Sequence, residues 1–166
     1  MQEFTGDQNH DDLRVAVVVS RYHETITAGL LESALMTLKQ AKIKDEDIAL
    51  AWVPGALELP TVAAEFARLA TWDAVVVLGA VIRGQTDHYD QICRETSRGC
   101  SRITFETGVP VGFGVITCDT LAQATDRSTT PAKNKGGEAV RAAIETARVL
   151  MEIRAATELR DESPQD

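Results

Sequence analysis

The chain is short of cysteine, of basic charge and of long apolar runs, and each shortage excludes a class of protein. Cys93, Cys100 and Cys118 are an odd number with no C-x-x-C pair, so neither a disulfide framework nor a zinc site is indicated. Small, mostly buried thiols are expected instead. The longest apolar stretches, such as Arg14 to Val19 and Ala74 to Gly79, fall far below the roughly 20 residues that a membrane-spanning helix needs. Met1 to Asp12 is acidic and polar where a secretory signal would be basic and then apolar, which leads us to expect a cytoplasmic protein. Lys and Arg number 17 against 25 Asp and Glu, and the resulting charge of −8 repels nucleic acid and anionic membranes, so neither is expected as a partner. An anionic ligand must then be held by a local cluster of donors. Internal repeats and low-complexity tracts are also missing.

What the sequence does contain is enough apolar material, 44% over 166 residues, for one core and one domain. Four runs rich in Val and Ile, at Arg14 to Val19, Ile48 to Val53, Ala74 to Gly79 and Val111 to Thr117, alternate with helical patterns. Ile26, Leu30, Leu31, Ala34, Leu35 and Leu38 form one stripe; Glu58 to Leu69 and Gly137 to Arg154 repeat the scheme. Strands that are continuously apolar belong in a parallel sheet covered on both faces. The expectation is therefore a three-layer α/β sandwich around a four-stranded parallel sheet, occupying residues 14–157. Residues 1–13 read as an N-terminal arm and residues 158–166 as a polar tail with little to bury.

Sites in such sheets lie beyond the carboxyl ends of the strands. Gly79 to Asp90 is the most informative of these places: a strand ends in a glycine-bounded loop and a helix opens, which points free N–H groups at an anion. The spacing mimics the nucleotide-binding loop G-x-x-x-x-G-K-S/T, but Gln85 stands where the lysine is required, so ATP or GTP is not expected. Gln85 and Thr86 could hold a smaller phosphate there. The bland alternative is a plain turn with Thr86 as an N-cap. His88, at the helix start, is of the residue type that exchanges protons near neutral pH, although a histidine so placed is often only solvated. The same applies to His23. Pro54 and Gly55 turn the chain after the second strand and deliver Glu58 to a helix start, as a grip for sugar hydroxyls or simply as a partner of the helix dipole. Arg127 and Lys135 flank the segment Ser128 to Asn134, either as anion ligands or as solvated surface charges.

Taken in order, these pieces resemble the lumazine synthase family from Arg14 to about Ile153. The matching segments are Ser20-Arg21-Tyr22-His23, Val53 to Pro60, Gly79 to Asp90, Pro110 to Thr117, Gln123 to Arg127 and Asn134 to Ala139. The resemblance implies a flavodoxin-like fold and a transferase of riboflavin biosynthesis. Such an enzyme condenses 5-amino-6-(D-ribitylamino)uracil with 3,4-dihydroxy-2-butanone 4-phosphate, giving 6,7-dimethyl-8-ribityllumazine, phosphate and water without metal or redox cofactor. It implies that Tyr22 stacks on the pyrimidine, that Ala80, Val81 and Ile82 line the ring site with Ala56 and Leu57 nearby, and that Glu58 holds the ribityl hydroxyls, with His23 beside it. Phe113 and Lys135 would close the pocket across a subunit interface, Arg127 would bind phosphate with Gln85 and Thr86, and His88 would shuttle protons. A homopentamer is implied, alone or built into a decamer or a sixty-subunit shell, with an N-terminal strand near Phe4 added to a neighbour's sheet and riboflavin synthase as a further partner.

The chain departs from the usual family pattern at several positions. Tyr22 replaces a Phe, His23 an Asn, and Asp87 a Pro, while Ser128 to Lys133 lacks the usual glycines and carries Pro131, which bears on the assembly. Two other readings stay open from sequence alone: a flavin-binding module on the same sheet, or a shell-forming paralogue without catalysis.

Overall fold

A computed structural model describes residues 1–7 and 9–161 of the chain. The strands are β1 (Val15–Ser20), β2 (Ile48–Val53), β3 (Ala74–Ile82) and β4 (Val111–Cys118). The helices are α1 (Glu24–Gln40), α2 (Leu59–Arg68), α3 (His88–Thr107), α4 (Leu121–Thr129) and α5 (Lys135–Asp161). The sheet is wholly parallel, in the order β2-β1-β3-β4. The three-layer, flavodoxin-like sandwich read from the sequence is the fold.

Two apolar clusters, one on each face of the sheet, hold the layers together. Val15, Val17 and Val19 of β1 pack with Leu30 and Leu38 of α1 and with Val140 and Ala143 of α5. Ala16 and Val18 pack with Leu59 and Ala63 of α2 and with Cys100 and Ile103 of α3. Successive strand residues point to opposite faces, and because helices cover both, every residue of β1 is buried. Each fully buried Val or Leu contributes about 1.5–3 kcal/mol, so β1 and β3 are the strands least able to shift. Gly136 lets α5 start against the Leu30 carbonyl of α1, where a Cβ would overlap that oxygen. The three cysteines are free; Cys100 and Cys118 are buried and Cys93 is half-buried. Burial pushes the Cys100 thiol up to about 12, which keeps it protonated and inert.

Most boundaries fall within a residue or two of the sequence reading, and three places differ by more. β3 runs on through Ile82, past Gly79, because the backbone N–H of Arg83 still reaches the Cys118 carbonyl of β4 at 2.9 Å. Gly79 is therefore a strand residue whose missing side chain admits Leu59, 3.0 Å from where its Cβ would lie. α5 continues from Lys135 to Asp161, beyond the apolar stripe, through the helix-forming Ala155 and Ala156. The first part of the expected tail is thus helical, and residues 162–166 lie outside the described residues. The arm has no strand among its described residues and lies along α5 of its own chain. There the Gly6 N–H donates to Glu152 at 3.4 Å, and Asp12 pairs with Arg148. Arg148 is almost fully buried, and its Nε has no hydrogen-bond partner.

Candidate active site

The chain runs from β1 to β2 on one side and crosses to β3 on the other, so the sheet has its switch point between β1 and β3, where such folds leave a crevice. Two backbone bonds bring the exits of β1 and β2 together there. The Arg21 N–H donates to the Val53 carbonyl at 2.8 Å and the Tyr22 N–H to the Pro54 carbonyl at 3.1 Å. His23 then turns the chain into α1 in the left-handed region, φ 58°, and its carbonyl accepts from Ile26 and Thr27. The Tyr22 and His23 rings meet edge to face with centroids 4.6 Å apart. Tyr22 is 67% exposed, which leaves ring surface open to a ligand.

A cavity of about 580 Å³ opens at this point, within the range usual for small-molecule sites. Ala80, Val81 and Ile82, the last residues of β3, line it. Tyr22 and His23 border it from β1, and Gly55, Ala56, Leu57 and Glu58 from the 3-10 turn Ala56–Glu58 that follows β2. The Thr96 hydroxyl of α3 donates to the Ala56 carbonyl at 3.3 Å and ties this turn to the opposite wall. The remaining border is Gly84, Thr86, His88, Tyr89 and Ile92, the loop after β3 and the first turns of α3. Main-chain groups, a carboxylate, two imidazoles and two phenol rings thus face an apolar floor.

A family model described as 6,7-dimethyl-8-ribityllumazine synthase matches residues 12–151. The chain belongs to that family. Lumazine synthases are transferases of riboflavin biosynthesis, and the matched span includes every residue of the crevice.

Ten of the fourteen site residues expected of a lumazine synthase border this one cavity: Tyr22, His23, Ala56, Leu57, Glu58, Ala80, Val81, Ile82, Thr86 and His88. The other four are elsewhere on the chain. Gln85 is exposed on the loop between two lining residues, Gly84 and Thr86. Phe113 is on β4, the edge strand, beside Cys93, Arg94 and Ser97 of α3. Arg127 is on α4, with Nη1 donating to the Gln123 carbonyl at 3.1 Å. Lys135 opens α5 and pairs with Glu138 at 2.6 Å. The helix-capping alternative for Thr86 is not what forms: the N-cap of α3 is Asp87, and its side chain makes no capping bond.

Sequence reasoning left out Gly55, Gly84, Tyr89 and Ile92. Tyr89 and Ile92 carried a usable signal, since Tyr89 follows His88 and Ile92 lies four residues after it on the same helical face. It also left out Arg83, whose guanidinium lies over the Tyr89 ring, 4.1 Å from the centroid, while donating to Asp90 and Asp119. Hydrogen bonds to Asp90 first, then Asp119, raise its proton affinity further. Burial, as the largest cause, raises the Tyr89 phenol above its ordinary value, so it stays neutral.

Proposed function

We propose that this chain condenses 5-amino-6-(D-ribitylamino)uracil with 3,4-dihydroxy-2-butanone 4-phosphate to form 6,7-dimethyl-8-ribityllumazine. The observation that carries the reading is the gathering of Tyr22, Glu58, Ala80 to Ile82 and His88 around one cavity from four separate stretches of the chain. A flat heteroaromatic ring suits the Tyr22 face and the backbone of β3. The ribityl hydroxyls suit the Glu58 carboxylate, with His23 next to the stacking ring. The phosphate suits Thr86 and Gln85 at the start of α3, where helix N–H groups favour an anion.

The chemistry begins when the pyrimidine amine attacks the ketone and the adduct loses water to give an imine. A proton leaves carbon, the phosphate departs with the electron pair of its C–O bond, and the ribityl-bearing nitrogen closes the second ring with loss of another water. Each step moves a proton at a heteroatom or an adjacent carbon, and His88 is the group proposed to carry it. One positioned acid/base contributes typically about 10² to 10⁴-fold. Holding two substrates in register contributes more, about 7 to 11 kcal/mol in well-oriented reactions.

Arg127, Lys135 and Phe113 are assigned to the cavity of a neighbouring copy, with Arg127 forking onto the phosphate. That assignment makes the working unit an oligomer, proposed as a pentamer. Incubating the protein with both substrates and following lumazine fluorescence tests the reaction, and no fluorescence above the uncatalysed rate would refute it. Mixing His88→Ala with Arg127→Ala subunits, after dissociation and reassembly, tests the sharing. Activity should return in the mixture, because some junctions then hold both intact groups.

A further inference from the structure

His88 is exposed, and in the loop before it a Cβ placed at Gly84 would meet nothing within 4 Å. Arg83 links the first turn of α3 to the strands beneath the cavity. Its backbone N–H is held by the Cys118 carbonyl at 2.9 Å. Its Nη1 and Nη2 each donate to one oxygen of Asp90 at 3.2 Å, a fork on the first turn of α3. Its Nε donates to Asp119, just after β4, at 3.0 Å. The flat of the same guanidinium covers Tyr89. One side chain thus joins the end of β3, the start of α3 and the end of β4, with three of its five N–H donors on protein carboxylates.

Resting on the lumazine synthase reading of the site, we propose that Arg83 is a positioning residue that sets where the His88 imidazole stands over the cavity. Lysine cannot substitute, because a single ammonium makes neither the planar fork nor the stack. The pairs are exposed to solvent, so their effect is on geometry more than on stability.

The test compares Arg83→Lys and Arg83→Gln with the wild-type full-length chain in three readouts: kcat and KM for lumazine formation, thermal melting, and the imidazole NMR signals. The chain has three histidines, so His10 on the arm and His23 at the start of α1 serve as internal references for His88. We expect both variants to lose about 10²-fold in kcat, the scale of a 1 Å misplacement. KM for the pyrimidine and the melting temperature should stay near wild type, and the His88 signals should move while those of His10 do not. Full activity in either variant, or full rescue by lysine, would overturn the inference. So would a fall in melting temperature with all three histidines moving together. If the wild-type chain itself forms no lumazine, the proposed reaction fails, and the His88 signals alone still decide whether Arg83 places that ring.

Discussion

His23 explains at the level of a single residue why the family pattern has asparagine at its position. The backbone there is left-handed, and Asn, Asp and His are the non-glycine residues that enter that region most readily. A histidine therefore keeps the turn while changing the side chain that borders the cavity. His88→Ala should slow turnover by about 10² to 10⁴-fold and leave measurable activity, because positioning survives. Steady-state rates check this, and an unchanged rate would remove His88 from its role. Arg127→Ala should chiefly weaken use of the phosphate substrate, read as a higher apparent KM for that substrate alone. Most of the crevice was legible in the sequence because its residues sit inside contiguous motifs at strand ends. The Arg83 contacts were not, since Asp119 lies 36 residues away and meets Arg83 only once β3 and β4 have paired.

Among the elements, the strands were the most readable, because a strand covered on both faces must be apolar throughout, as Val15 to Val19 is. Gly79 misled because glycine after an apolar run usually marks a turn, and only the packing of Leu59 shows why this one continues the strand. The end of α5 was illegible for a different reason: its last turns follow helix propensity alone, with no apolar stripe to announce them. At Gly136, α5 lies so near α1 that an added Cβ would overlap the Leu30 carbonyl oxygen. Gly136→Ala should destabilise the chain by about 1–3 kcal/mol through overpacking against α1. Thermal or urea unfolding checks this, and a neutral result would mean that α5 can slide away from α1. At α4, the Thr120 hydroxyl accepts from the Gln123 N–H at 3.2 Å. Thr120→Ala should cost about 1 kcal/mol as a lost cap, readable by the same measurement.

For the whole molecule, no described helix is long and apolar enough to cross a membrane. The arm is the part whose sequence said least, since its contacts with α5 depend on residues more than a hundred positions away. Arg148, chiefly by its hydrogen bond, holds the Asp12 carboxyl below its ordinary value of 3.8. A carboxylate depressed in this way adds stability above that value and loses it as the pH falls through the folded-state value. Asp12→Asn should therefore lower the melting temperature at neutral pH, and the difference from wild type should shrink in acid. A constant difference would mean that charge plays no part. Arg148 also bears on how the protein is prepared. Trimming the first dozen residues, as a tag-removal step can do, would leave a guanidinium under Met151 without its counter-ion, so a shortened product that still folds should fail early on storage or warming.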